Sequence, residues 1–196
     1  VNPKAGLTFA TGLRTMLRAD PDIIMVGEIR DPDTAKIAVE AALTGHLVLS
    51  TLHTNDAPSA ITRLTEMGIP PFLTASAIDC VVAQRLARRL CAYCKKRTVL
   101  KVDRLQGAGF FDAAFDIEAF EPVGCARCGH SGYKGRVGLY EVMSVSDEIR
   151  ELTIDRTSAD VMRAKAVEQG MRLLKDDGLE KVRLGVTSIQ EISRVT

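Results

Sequence analysis

Asp22-Ile23-Ile24-Met25-Val26-Gly27-Glu28-Ile29-Arg30-Asp31 is the stretch that decides the fold. Asp20-Pro21 precedes it and Gly27 closes its apolar part. An unbroken apolar run of this length, rich in β-branched residues, is too short for a buried helix. It reads as a strand covered on both faces in a parallel sheet. Glu28 follows at the carboxyl end of that strand, the edge where open α/β sheets collect ligands. Nucleotide hydrolases place an acidic residue there to hold Mg²⁺ or order the attacking water. Taken alone, Glu28 could equally be the first solvated residue after a strand.

Upstream, Leu7 to Ala19 has helical apolar spacing (Leu7, Ala10, Leu13, Leu17), and Asp20-Pro21 stops it. Downstream, Asp31 can cap a helix with Pro32 at its first position, and Gly45 ends it. His46 to His53 (HLVLSTLH) is a second strand. Strand, helix and strand with a crossover of this length make a parallel βαβ unit. His53 then follows the second strand at the same edge as Glu28, with Thr51, Thr54 and Asn55 around it. A neutral imidazole, hydroxyls and an amide can sense a γ-phosphate or a bound water, although a histidine in this position is often only a surface residue. His46 falls at the opposite edge. Asp56 and Pro58 start a helix through Met67, and a longer one is predicted from Phe72 to about Arg89, with Cys80 as a small buried apolar residue inside it.

The chain is 196 residues long with a formal net charge of +1, 46% hydrophobic and without tryptophan, so one substantial aliphatic core, or one core plus a small satellite, is the expected build. No apolar run reaches the length of a membrane span. Val1-Asn2-Pro3-Lys4 has neither an initiator methionine nor a signal-peptide pattern, and reads as an internal boundary of a longer protein.

Residues 91–143 change character. Four of the five cysteines form two Cys-x-x-Cys pairs, Cys91/Cys94 and Cys125/Cys128, among clustered glycines. Two such turns complete a tetrahedron of thiolates, the donor set of a closed structural zinc site. An isolated redox dithiol would stand alone, and a closed site leaves no position for catalysis. The metal is expected to fold a segment of low apolar content; His130 could compete as a ligand, but four thiolates suffice. After Met143 the pattern is helical again: Ser158 caps a helix to Gly170, a second runs from Met171 to Leu184, and Ser188 with Glu191 reads as a capping box for the last. A basic stretch (Arg85, Arg88, Arg89, Lys95, Lys96, Arg97) suits a helix end complementing its dipole better than a nucleic-acid surface, since only Tyr93 interleaves it and acids come after it.

Several of these stretches together resemble one family, the type II secretion and type IV pilus assembly ATPases of the GspE/PilB kind. Arg14 to Asp31 is similar to their Walker B region, and Thr44 to Asp56 to their histidine box. Cys91 to Cys128 is similar to the four-cysteine insert of assembly motors, which retraction motors typically lack. Gly135 to Met143 and Gly170 to Val182 resemble the segments downstream of that insert in the same motors. The likeness covers essentially the whole chain.

The resemblance implies an α/β fold: part of a RecA-like parallel sheet (1–90, Walker B and His box), a tetracysteine zinc-binding subdomain (91–143) and a C-terminal helical subdomain (144–196). It implies a homo-hexameric motor that hydrolyses ATP with Mg²⁺ in the bacterial cytoplasm. Such a motor docks on an inner-membrane platform protein and its cytoplasmic scaffold, and so is peripheral to the membrane. Glu28 would be the Walker B carboxylate, with His53 and nearby Thr51 reading the nucleotide, and Cys91, Cys94, Cys125 and Cys128 holding zinc. There is no G-x-x-x-x-G-K-[ST] in the chain, so this segment by itself is expected not to hydrolyse ATP. The alternative is a non-catalytic zinc-containing docking module for the platform protein.

Overall fold

The computed structural model describes residues 2, 4 and 6–196; Val1 and Pro3, on which the boundary reading partly rests, and Ala5 lie outside the described residues. The chain divides into two compact units, each discontinuous in sequence. One comprises Val1–Val82 and Val142–Met171, the other Ala83–Glu141 and Arg172–Thr196.

The first unit is built on the expected βαβ core. Helix α1 (Phe9–Met16) is capped by Thr8 and continues into a 3-10 turn, Leu17–Ala19. Strand β1 (Ile23–Val26) leads to α2 (Pro32–Leu43), whose N-cap Asp31 accepts from the Thr34 backbone N–H at 2.8 Å. Strand β2 (Leu47–Ser50) pairs with β1 in parallel, Ile23 opposite Leu47 and Val26 opposite Ser50.

Ile24 and Val26 are buried with Leu13, Ala35, Ile37 and Ala38. The other face is open, contrary to the expectation of a strand covered on both sides. Ile23, Met25, Leu47 and Leu49 are 61%, 75%, 53% and 45% exposed. The period-2 alternation of side chains sends these four away from the core, and no described residue covers them.

Helix α3 (Ala57–Glu66) is capped by Asp56. Helix α4 (Pro71–Ala77) is short, because the chain turns extended at Ile78 and enters strand β3 (Cys80–Leu90). The predicted helix from 72 to 89 is therefore half strand, and Cys80 is exposed on it rather than buried in a helix. Ala83 and Ala87 carry the buried face. Their spacing of four satisfies both a helical stripe and one side of a strand, so pairing decided what propensity could not. Helices α6 (Asp147–Ile154) and α7 (Ala159–Glu168) complete this unit, each N-capped by a serine, Ser146 and Ser158.

The second unit has its own core. Strand β3 pairs with β6 (Tyr133–Ser144), and β4 (Lys96–Leu100) pairs antiparallel with β5 (Ile117–Glu121), Lys96 opposite Glu121 and Leu100 opposite Ile117. Leu100, Leu105, Ile117, Ala119 and Leu139 are buried there. The cysteine-bearing segment thus holds more apolar structure than its composition suggested, and the basic stretch lies on two strands, β3 and the start of β4, and the turn between them rather than at a helix end. Between the β4 and β5 strands runs α5 (Val102–Gly107), and α8 (Leu174–Arg183) and α9 (Ile189–Val195) close the unit.

Candidate functional site

Parallel strands deliver their carboxyl ends to one edge, and Glu28 and His53 meet there. His53 Nε2 lies 3.2 Å from Glu28 Oε2, and Arg30 Nε donates to the same oxygen at 2.6 Å. A carboxylate can only accept, so Nε2 carries the proton. Burial pushes the Glu28 carboxyl up, but the bonds from His53 and Arg30 outweigh it and hold the group below the ordinary carboxylate range. Both bonds fall on Oε2, which leaves Oε1 without a protein partner among the described residues. The Glu28 side chain is 24% exposed and that of His53 76%. The edge therefore opens to solvent on the histidine side.

Thr51 hydrogen-bonds the two neighbours of Glu28 rather than Glu28 itself. Its Oγ1 donates to the Gly27 carbonyl at 2.8 Å, and its own carbonyl accepts from the Ile29 N–H at 2.9 Å. Both bonds tie the end of β2 to the turn that carries Glu28. His46 sits at the other end of β2, with Nδ1 3.0 Å from the Ala41 carbonyl and 3.2 Å from Thr44 Oγ1. It closes the C-terminus of α2 and takes no part in the edge.

In the second unit the four expected cysteines converge. Cys91 to Cys125, Cys94 to Cys128 and Cys125 to Cys128 are 4.0, 3.9 and 3.8 Å apart at sulfur, and all four sulfurs lie within 4.8 Å of one another. A regular tetrahedron with metal–sulfur arms of about 2.3 Å has edges of about 3.8 Å, so the cluster has the dimensions of a metal cage. His130 is not among its ligands.

Backbone N–H groups donate to these sulfurs: Gly124 to Cys94 at 3.3 Å, Cys125 and Gly132 to Cys128 at 3.2 and 3.3 Å. Such bonds orient thiolates and offset their charge. Burial raises the Cys128 thiol, but the two N–H bonds outweigh it and bring it down to about 6. Burial and the neighbouring thiols push Cys94 up to about 11. The cage is shaped by Gly124, whose φ of +104° and whose place 2.6 Å from the His130 carbonyl, measured from a would-be Cβ, exclude any side chain.

Sequence reasoning missed two ionic nodes. Glu191, read as the second half of a capping box, does donate its N–H to Ser188 Oγ at 3.3 Å. Its carboxylate, however, is wholly buried and accepts from Arg88 N, Nε and Nη2 at 2.9, 3.0 and 2.8 Å and from Arg194 Nη2 at 2.6 Å. The other node joins Asp56, at the end of the His53 loop, to Arg163 of α7 at 2.6 Å. Arg194 follows Glu191 by three residues, but Arg88 and Arg163 lie 103 and 107 positions from their partners, so no local signal marks those two bonds. For Arg30 the signal was present, two residues from Glu28.

Several known proteins resemble this chain. The family model described as type II/IV secretion system protein matches residues 1–194. The type IV pilus assembly ATPase PilB of Acinetobacter baylyi is 53% identical over the whole chain, which covers 34% of that protein. The type II secretion system ATPase E of Vibrio cholerae is 48% identical, again over the whole chain and 39% of its own length. The chain thus spans between a third and two fifths of these relatives. Among solved structures, the Legionella pneumophila ATPase DotB superposes with a TM-score of 0.64 at 25% identity, over 96% of this chain and 42% of that one. The pilus retraction motor PilT with bound ADP superposes with a TM-score of 0.66 at 23% identity, over 96% and 43%, a likeness of α/β fold. With a model match along nearly its full length and relatives of this identity, the chain belongs to the type II/IV secretion system protein family.

Proposed function

We propose that the chain is the Walker B and histidine-box part of an ATP-hydrolysing motor that drives pilus assembly or type II secretion. The observation that carries this reading is the 3.2 Å approach of His53 to Glu28 at the shared edge of two parallel strands. Nucleotide with Mg²⁺, when bound, supplies the phosphoryl group and the charge that polarises it. Glu28 stays ionised under its two hydrogen bonds, and its Oε1 would be the acceptor that helps hold Mg²⁺ or orients the attacking water. His53, bonded to Glu28 and open to solvent, registers whether a γ-phosphate is present. Thr51 fixes the separation of the two strand ends. The phosphate cradle and the rest of a RecA-like sheet belong to the remaining length of such a protein, and the hexameric neighbours are further copies of it, so this segment by itself does not turn over ATP. Four thiolates at tetrahedral spacing suit zinc in a purely structural role.

The test uses the full-length parent. Glu28→Gln should lower kcat by roughly 10²-fold or more while ATP binding persists; a loss smaller than threefold overturns the assignment.

The Tyr93–Arg127 stack favours a second role for the same polypeptide. Arg127 lies 4.1 Å over a Tyr93 ring that is 67% exposed, with both residues inside the cysteine turns. In that reading the zinc-bearing unit docks on the inner-membrane platform protein and its scaffold at the cytoplasmic face. Capture of the platform's cytoplasmic domain should survive Glu28→Gln and fail when Cys91 and Cys94 become Ser.

A further inference from the structure

His53 lies on a segment with no regular structure of its own, between β2 and α3. Where its ring sits therefore depends on how the two ends of that segment are held, together with bonds inside it such as Thr54 Oγ1 to the Asp56 carbonyl at 3.1 Å. The near end is secured by Thr51, through Oγ1 to the Gly27 carbonyl and through its carbonyl to the Ile29 N–H. The far end is Asp56, whose carboxylate has two jobs. Oδ1 accepts from the Ser59 N–H at 2.9 Å and caps α3; Oδ2 accepts from Arg163 Nη2 at 2.6 Å. Arg163 in turn is braced against its own helix by Nη1, 2.6 Å from Asp160 Oδ1. The pair is mostly shielded, with side chains 19% and 32% exposed, and both residues belong to the first unit.

We propose that Arg163 is a positioning residue for His53: it clamps Asp56 to α7, so that the loop spans two fixed anchors and the imidazole reaches Glu28. A cap alone would fix the start of α3 but leave its attitude to the rest of the unit to apolar packing. The ionic clamp adds a directional contact from a helix more than a hundred residues away in sequence. Burial pushes the Asp56 carboxyl up, but its bonds from Ser59 and Arg163 outweigh this and keep it ionised, which keeps the clamp closed at neutral pH. A shift of an ångström in a group of this kind is enough to degrade a reacting geometry. The functional consequence rests on the nucleotide-site reading; the structural claim does not.

The two claims separate experimentally. In a carbon-13 NMR spectrum of this chain the histidine Cε1–Hε1 region holds three peaks, one each from His46, His53 and His130. Asp56→Ser keeps a good N-cap while removing the carboxylate that Arg163 grips. Asp56→Ser and Arg163→Met should each move the His53 Cε1–Hε1 peak at least halfway to its position in Glu28→Gln, with His46 and His130 unmoved, and Arg163→Lys should bring it back. An unmoved His53 peak in both variants overturns the proposal. In the full-length parent, Arg163→Met should lower kcat about tenfold with KM for ATP within twofold of wild type. Combined with His53→Ala it should lower kcat no further than His53→Ala alone; a multiplicative loss overturns the positioning role. If His53→Ala itself leaves kcat unchanged while the NMR shifts occur, the nucleotide-site reading fails and the clamp stands.

Discussion

Replacing Glu191 by Gln should destabilise the second unit strongly, and by an amount that shrinks in acid. The carboxylate is buried and gripped by Arg88 and Arg194. Burial alone would raise its pKa, but the hydrogen bonds from Arg194 and Arg88 win and lower it from 4.5 to about 2. A folded-state pKa below the unfolded one stabilises the protein above the unfolded value, and that stabilisation is lost as pH falls through the folded value. At roughly 1.4 kcal/mol per pH unit, the gap is worth about 3 kcal/mol at pH 7 and about 1.5 kcal/mol at pH 3. Gln keeps the shape and loses the charge, so the difference between wild type and Glu191→Gln should follow that curve. The chain offers a selective probe: it has no tryptophan, and its three tyrosines, Tyr93, Tyr133 and Tyr140, all lie in the second unit. Urea unfolding followed by tyrosine fluorescence at pH 7, 5, 4 and 3 gives the difference directly. A difference below about 1 kcal/mol at pH 7, or one that does not change between pH 5 and pH 3, would refute the reasoning.

Three further outcomes are expected. Gly124→Ala strains the backbone at φ +104° and drives a methyl into the His130 carbonyl, so the metal content of purified protein, measured by plasma emission, should fall well below one ion per chain. Cys94→Ser removes one arm of the cage and should lower the tyrosine-monitored Tm by ten degrees or more, whereas chelation of wild type should reproduce that loss and leave Cys94→Ser unchanged. Met25→Lys should change the stability of the chain by less than about 0.5 kcal/mol, because the side chain is 75% exposed; a cost above 2 kcal/mol would mean that the outer face of β1 is covered after all.

What could be read from the sequence was what short-range chemistry specifies. Ile23–Val26 is β-branched and apolar, Asp31-Pro32 is a cap followed by a first-turn proline, and the two Cys-x-x-Cys turns define their own geometry within four residues. The meeting of Glu28 and His53 was legible one level up, because a parallel βαβ unit brings both strand ends to one edge whatever the intervening residues are. Strand β3 was misread because alanine and arginine favour helix and Ala83/Ala87 fit either period; its identity comes from the β6 partner, which lies some fifty residues on. The ionic grips on Glu191 and Asp56 were invisible for the same reason in sharper form. Arg88 and Arg163 carry no mark of their partners, which sit 103 and 107 positions away. The open face of the sheet was misjudged because an unbroken apolar run records what a strand's two sides prefer, and not which of them this chain covers.

The two compact units interleave along the chain, and this sets an order of events during synthesis. Residues 83–141 emerge from the ribosome between the two pieces of the first unit. At translation rates of about 5–20 residues per second, the helices α3 and α4 wait several seconds for α6 and α7, the helices that supply Arg150 to the Ala75 carbonyl and Arg163 to Asp56. The nascent chain must therefore carry an unfinished apolar surface on its N-terminal unit while the cysteine-bearing one is being made, which is the interval in which a chaperone has most to protect.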